Sequence, residues 1–226
     1  MLDALLHPRV RSLVSLRRQL ATLMMTAYAL LELPSGDLVE TGVFHGGTTV
    51  LMARALRNLS SSRVLWACDS FQGLPRAQLE DGGNCTAPTA SLPRRGCGRG
   101  RMGQYKAPRI TVERALRAEQ LQSHVRIVPG WFHDTLPPHG LRTIAFLRLD
   151  GDTFNGTFEA LRRLYPLVVD RGVVYVDDAG SFHGAHQALV DYFGYRIGTE
   201  ILEEEGYYEA VWWRKGVRDE SPGRFS

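Results

Sequence analysis

Five short strand-like runs alternate along this chain with segments of helical periodicity, and that alternation leaves few folds open. The runs fall at residues 37–41, 63–70, 125–132, 144–152 and 172–178. Apolar residues at helical spacing mark 48–59, 111–122, 157–169 and 185–193 between and after them. Strand and helix in repeated succession imply an α/β fold with a mostly parallel sheet and helices on both faces. Two last segments, 200–204 and 209–214, read as a closing antiparallel pair with Gly206 in the turn.

The N-terminal part is helical in pattern from Val10 to Leu33, with Leu13, Leu16, Leu20, Leu23, Met24, Ala27, Leu30 and Leu31 recurring along it. Pro34-Ser35-Gly36 stops it. Such a helix packs on the body or on a second copy, so a homodimer is the oligomer it would serve. A single domain over 1–226 is expected, with 1–35 as an N-terminal helical segment. Residues 76–108 break the pattern with prolines, glycines, two cysteines and several arginines, and read as a lid-like insertion.

With 226 residues, 44% of them hydrophobic, the chain can bury a sizeable core. A net charge of +3, scattered, gives no footprint for nucleic acid. The exception is the basic loop Arg94 to Arg101, which either attracts an anion or keeps a loop solvated. Cys68 lies in an apolar run and reads as core; Cys85 and Cys97 can pair, but three cysteines in no metal-binding spacing favour a reducing compartment. Pro8 and Arg9, Arg11, Arg17 and Arg18 interrupt any leader-like core. The longest uncharged run, Gln19 to Leu31, is too short for a bilayer. A cytoplasmic protein without a membrane partner is expected.

Four of the strands end in acids: Glu40, Asp69, Asp150 and the pair Asp177-Asp178. Any one of them can be a helix cap. Together they would gather at the carboxyl edge of a parallel sheet, where ligands bind. The first two flank the turn G-V-F-H-G-G, the layout for a nucleoside, with the Asp69 carboxylate open to ribose hydroxyls. Phe44 replaces the second glycine of a dinucleotide fingerprint, and no P-loop is present. Adenosine without phosphates fits better, as in S-adenosylmethionine, with Glu40 available to its cationic methionine end. Asp150, Asp177 and Asp178 form an oxygen-ligand set for a hard divalent cation such as Mg²⁺, which would supply the positive charge between two adjacent aspartates.

ETGVFHGGT, DSFQGLP, VPGWFHDTLP, LRLDGDTF and VYVDDAG, in this order, closely resemble the macrocin O-methyltransferase family, metal-dependent sugar O-methyltransferases. The resemblance covers roughly Asp37 to Tyr195. It implies a class I methyltransferase (Rossmann-like) fold, with seven strands and the last one antiparallel. It makes Asp150, Asp177 and Asp178 the Mg²⁺ ligands, with Asp150 as general base and Asp152 next in line. Glu40, Thr41, Gly42, Asp69 and Ser70 would hold the methionine and ribose parts of the cofactor, and Gly130, Trp131 and Phe132 would border its adenine. The acceptor is then a hydroxyl of a sugar-containing or polyhydroxylated small molecule.

Two alternatives stand beside this. Catechol-type O-methyltransferases share the metal geometry, but carry a lysine three residues beyond the strand-4 aspartate, where this chain has Thr153. A non-catalytic S-adenosylmethionine-binding module would have no need of three unpaired acids. The chain departs from the family at His45, where arginine is usual, and at Gln72, where glutamate is usual. His133, His183 and His186 are open between surface positions and contacts to substrate.

Overall fold

The structure is a computed structural model that describes residues 12–82, 101–194, 200–204 and 207–217. In chain order its elements are α1 (Leu16–Glu32), β1 (Asp37–Thr41), α2 (Gly47–Asn58), β2 (Leu65–Asp69), α3 (Arg109–Ala118), β3 (Val125–Pro129), α4 (Phe132–Thr135), β4 (Ile144–Leu149), α5 (Phe154–Leu164), β5 (Val168–Val176), α6 (His183–Phe193), β6 (Glu200–Glu204) and β7 (Tyr207–Arg214). Seven strands pair in the order β3-β2-β1-β4-β5-β7-β6. All neighbours are parallel except those of β7, which runs antiparallel to both β5 and β6. This is the class I methyltransferase arrangement expected above.

Strand side chains alternate between faces, so each central strand feeds two cores. Leu38, Leu65, Ala67, Phe146 and Val173 face one cluster with Met25 and Ala29 of α1, Val50 and Leu56 of α2 and Val112 of α3. Val39, Trp66, Cys68, Leu147, Val174 and Val176 face the other, with Ala160 and Leu161 of α5 and Leu189 of α6. Cys68 is buried and unpaired, as a core residue should be. Cys85, Cys97, Gly206 and the loop Arg94 to Arg101 lie outside the described residues, apart from Arg101 itself.

Most elements fall where the periodicity places them, and the shifts at their ends have local causes. Helix α1 starts at Leu16 rather than Val10, because Ser15 caps it by accepting from the Arg18 N–H. Ser12, Leu13 and Val14 are non-helical and turn toward the sheet edge. Helix α5 starts at Phe154, capped by Thr153, whose hydroxyl accepts from the Gly156 N–H at 3.1 Å. Among the described residues, no helix is long and apolar enough to cross a membrane.

Succession β1, β2, β3 moves outward on one side, and β4 then opens the other side of β1. The reversal leaves a crevice at the carboxyl ends of β1 and β4, the topological switch point. Each ladder continues one residue past its strand there: Gly42 N–H donates to Cys68 O, Asp150 N–H to Thr41 O, and Asp177 N–H to Leu149 O, all at 2.9 Å. The acids are thereby held in line along one edge.

Candidate active site

A cavity of about 720 Å³ opens at this edge, within the range of small-molecule sites. Its walls include Gly42, Val43, Phe44, Thr48, Asp69, Ser70, Trp131 and Phe132 on the β1–β2 side. On the β4–β5 side they include Asp150, Asp152, Asp177 and Asp178, with Arg18 of α1 and Tyr105 across the opening.

Gly42 sits at φ 84° directly against β4, and a Cβ there would lie 1.7 Å from the Asp150 carbonyl oxygen. Only glycine allows this approach. The Asp69 carboxylate accepts from the N–H groups of Val43 (2.7 Å), Phe44 (3.1 Å) and Phe71 (2.6 Å), and so shapes the turn it faces. Ser70 lies beside it on the wall. Gly130 donates its N–H to Asp69 O and sets the path into Trp131 and Phe132 without itself lining the cavity.

Glu40 is placed differently from the sequence expectation. It is fully buried below the wall, where it accepts from the hydroxyls of Thr48 and Thr49 at the start of α2, and neither Glu40 nor Thr41 lines the cavity. Burial pushes the Glu40 carboxyl up to about 7, against the lowering effect of Arg148 and the two threonines. Thr48, which donates its hydroxyl to Glu40 from the start of α2, does line the cavity.

Sheet register explains what surrounds it. Glu40, Arg148 and Tyr175 are paired positions on β1, β4 and β5, so their side chains stand in one row on the α1–α2 face. Arg148, with no exposed surface, ion-pairs with Asp150 (2.7 Å), Asp177 (3.1 Å) and Glu40 (3.4 Å), and lies over the Tyr175 ring. Tyr175 donates its hydroxyl to Asp177 Oδ1 at 2.9 Å. Arg18 reaches Asp177 Oδ2 at 2.7 Å. Two guanidiniums therefore already stand at Asp177, where the sequence pointed to a metal ion alone. A charged residue inside the apolar run I-A-F-L-R-L was the available signal for Arg148; nothing in the sequence places Arg18 there.

The metal expectation finds its support at Asp178. Carboxylate oxygens of Asp150, Asp177 and Asp178 all lie within 4.8 Å of one another. Asp178 is buried, and its Oδ2 has no hydrogen-bond partner. Its carboxyl is held well above the usual range by burial and by the neighbouring Asp152, Asp150 and Asp177. Asp152, at φ 56°, shares a hydrogen bond with Asp178 and is pushed up to about 7, first by burial and then by Asp150. The cluster thus holds more carboxylates than the two arginines balance. An orphaned buried carboxylate oxygen and a negative surplus fit a hard divalent cation.

Along the cavity wall, Phe44, Tyr105 and Asp152 all carry positive φ, a concentration of backbone strain at one site. Asp81 fastens the near end of the 76–108 segment, accepting from Gln78 N–H (2.8 Å) and from Phe154 N–H (2.7 Å) at the start of α5. Gly103 and Gln104, at its far end, bond to Leu74. His133 lines the cavity; His183 and His186 do not.

Residues 11–215 match the family described as Macrocin-O-methyltransferase (TylF). The chain belongs to that family. Among its curated relatives, the demethyldecarbamoylnovobiocin O-methyltransferase of Streptomyces niveus is 35% identical over 183 residues, 80% of this chain. A rhamnosyl-tetracenomycin-C 4'-O-methyltransferase of Streptomyces olivaceus is 34% identical over 186 residues, 79% of this chain. The chain spans 66% of the length of each of these two relatives. The solved O-methyltransferase NovP superposes with a TM-score of 0.72 at 32% identity, covering 90% of this chain and 81% of that one.

Proposed function

We propose that this member of the macrocin-O-methyltransferase family is an S-adenosylmethionine- and Mg²⁺-dependent O-methyltransferase acting on a hydroxyl of a glycosylated small molecule in the cytoplasm. The carrying observation is the meeting of Asp150, Asp177 and Asp178 on one wall of a cavity whose other wall is the Gly42 turn and Asp69.

In this reading Asp69 and Ser70 receive the ribose hydroxyls, Trp131 and Phe132 flank the adenine, and Gly42 and Thr48 border the methionine end. When bound, S-adenosylmethionine supplies an electrophilic methyl group and leaves as the neutral thioether. When bound by Asp150, Asp177 and Asp178, a divalent cation lowers the pKa of a hydroxyl it holds. Asp150, anchored through Oδ2 to Arg148, takes the hydroxyl proton; Asp152, raised to about 7, is the alternative base. The walls would hold acceptor and methyl in line.

Thr153 favours this over the catechol-type alternative. Where that type carries its lysine, the Thr153 hydroxyl is buried as the cap of α5 and offers no base. The names of the relatives, one of them a rhamnosyl-tetracenomycin methyltransferase, support a sugar hydroxyl as acceptor. Calorimetric titration with S-adenosylmethionine, with and without Mg²⁺, tests the reading. Cofactor binding is expected to survive Asp177→Ala/Asp178→Ala, whereas Mg²⁺ binding is not. Absence of cofactor binding to the folded protein would overturn it. A panel of deoxysugar glycosides and catechols then discriminates the acceptors.

A further inference from the structure

The two arginines at Asp177 are not equivalent. Arg148 rises from the middle of β4, is completely buried, and is held by three carboxylates. It has nowhere to go. Arg18 comes from the first turn of α1, keeps 15% of its side chain exposed, and lines the cavity together with Ser12, Leu13 and Val14. Asp177 divides its oxygens accordingly. Oδ1 takes the Tyr175 hydroxyl and Arg148 from the sheet; Oδ2 takes Arg18 from the cavity side.

We propose that Arg18 is a displaceable counter-cation of the carboxylate site: it neutralises Asp177 in the absence of a metal ion and competes with the ion for that carboxylate. The inference rests on the divalent-cation reading of Asp150, Asp177 and Asp178 made above. A guanidinium 2.7 Å from Asp177 Oδ2 opposes a second positive charge at the same carboxylate, and removing it deepens the negative surplus that the ion meets. The coupling is reciprocal: whatever factor Arg18 takes from metal affinity, the metal takes from the Arg18 contact. Arg18 directly follows the non-helical stretch 12–15 and donates its N–H to Ser15 Oγ, so metal uptake that releases its side chain is expected to loosen the start of α1. The start of α1 is then a reporter of metal occupancy.

Mn²⁺, which takes oxygen ligands as Mg²⁺ does, is the probe, with free ion followed by electron paramagnetic resonance. Arg18→Met and Arg18→Gln remove the charge and are expected to bind Mn²⁺ on the order of tenfold more tightly than the parent. Arg18→Lys keeps the charge and should stay near the parent value. In the unmutated protein, saturating Mn²⁺ should speed hydrogen exchange at the Arg18 and Gln19 amides, which need no variant to be read. A purely structural arginine would lower thermal stability on substitution and leave Mn²⁺ affinity unchanged or weaker, and that result overturns the proposal. Titration with S-adenosylhomocysteine on the same samples separates the two levels. Cofactor binding with an unmoved Mn²⁺ affinity defeats the role of Arg18 alone. Loss of both Mn²⁺ and cofactor binding in the unmutated protein defeats the functional reading as well.

Discussion

Gly42 and Gly103 both hold positive φ, yet they meet different surroundings. A Cβ at Gly42 would penetrate the Asp150 carbonyl, whereas one at Gly103 meets nothing within 4 Å. Gly103→Ala should therefore cost only the left-handed backbone penalty, about 1–2 kcal/mol. Gly42→Ala must also push β1 from β4 and should cost clearly more, with loss of metal binding as Asp150 moves. Paired denaturant curves measure the difference. Arg148 is a second test at this scale. Arg148→Met removes the buried charge that three carboxylates share, and a loss of about 3–5 kcal/mol is expected, as for a buried pair broken from one side. The acids of the site were legible in the sequence because they close apolar runs. Their counter-charges were less so: Arg148 stands out only once the run around it is known to be buried on both faces, and Arg18 reaches Asp177 across 159 positions of sequence.

At the scale of elements, Glu40 ties β1 to the start of α2 through Thr48 and Thr49, and to β4 through Arg148. Strand–helix alternation made these elements visible in advance. The register that sets Glu40, Arg148 and Tyr175 in one row was not, because register arises from pairing between distant strands. That is why Glu40 reads as a cofactor ligand from its place at a strand end, yet lies beneath the cavity wall. Its carboxyl rises from 4.5 to about 7 on folding, chiefly by desolvation. The sign follows directly. Between these values the folded state binds the proton and the unfolded state does not, so stability is fullest below 4.5 and falls as pH rises to 7. The span corresponds to about 3 kcal/mol. Glu40→Gln lacks this term. Its stability relative to the parent should improve by about that amount between pH 4 and pH 8, as urea midpoints across the range would show. A flat difference would mean that Arg148 and the two threonine hydroxyls fully offset the burial of Glu40, leaving its pKa the same folded and unfolded.

For the molecule as a whole, the carboxylate site gathers groups from several elements of the fold. Asp150 belongs to β4, Asp177 and Asp178 to the turn after β5, Arg18 to α1, and Asp152 to the approach into α5. A cation that satisfies the Asp178 oxygen binds the native state alone, since no unfolded chain gathers these groups. It must therefore stabilise the entire fold. At a free concentration one hundred times its dissociation constant, the gain is about 2.7 kcal/mol. For a chain of 226 residues each kcal/mol raises the melting temperature by about 2–4 °C, so a rise of about 5–10 °C is expected with Mg²⁺ or Mn²⁺, reversed by a chelator. Asp178→Asn should abolish that rise. It should leave the metal-free melting temperature equal or higher, because it removes a carboxylate that burial and three acidic neighbours already disfavour. A variant that melts earlier than the chelated parent would show instead that Asp178 holds the fold together without any ion, and the acidic edge would then be a structural network rather than a metal site.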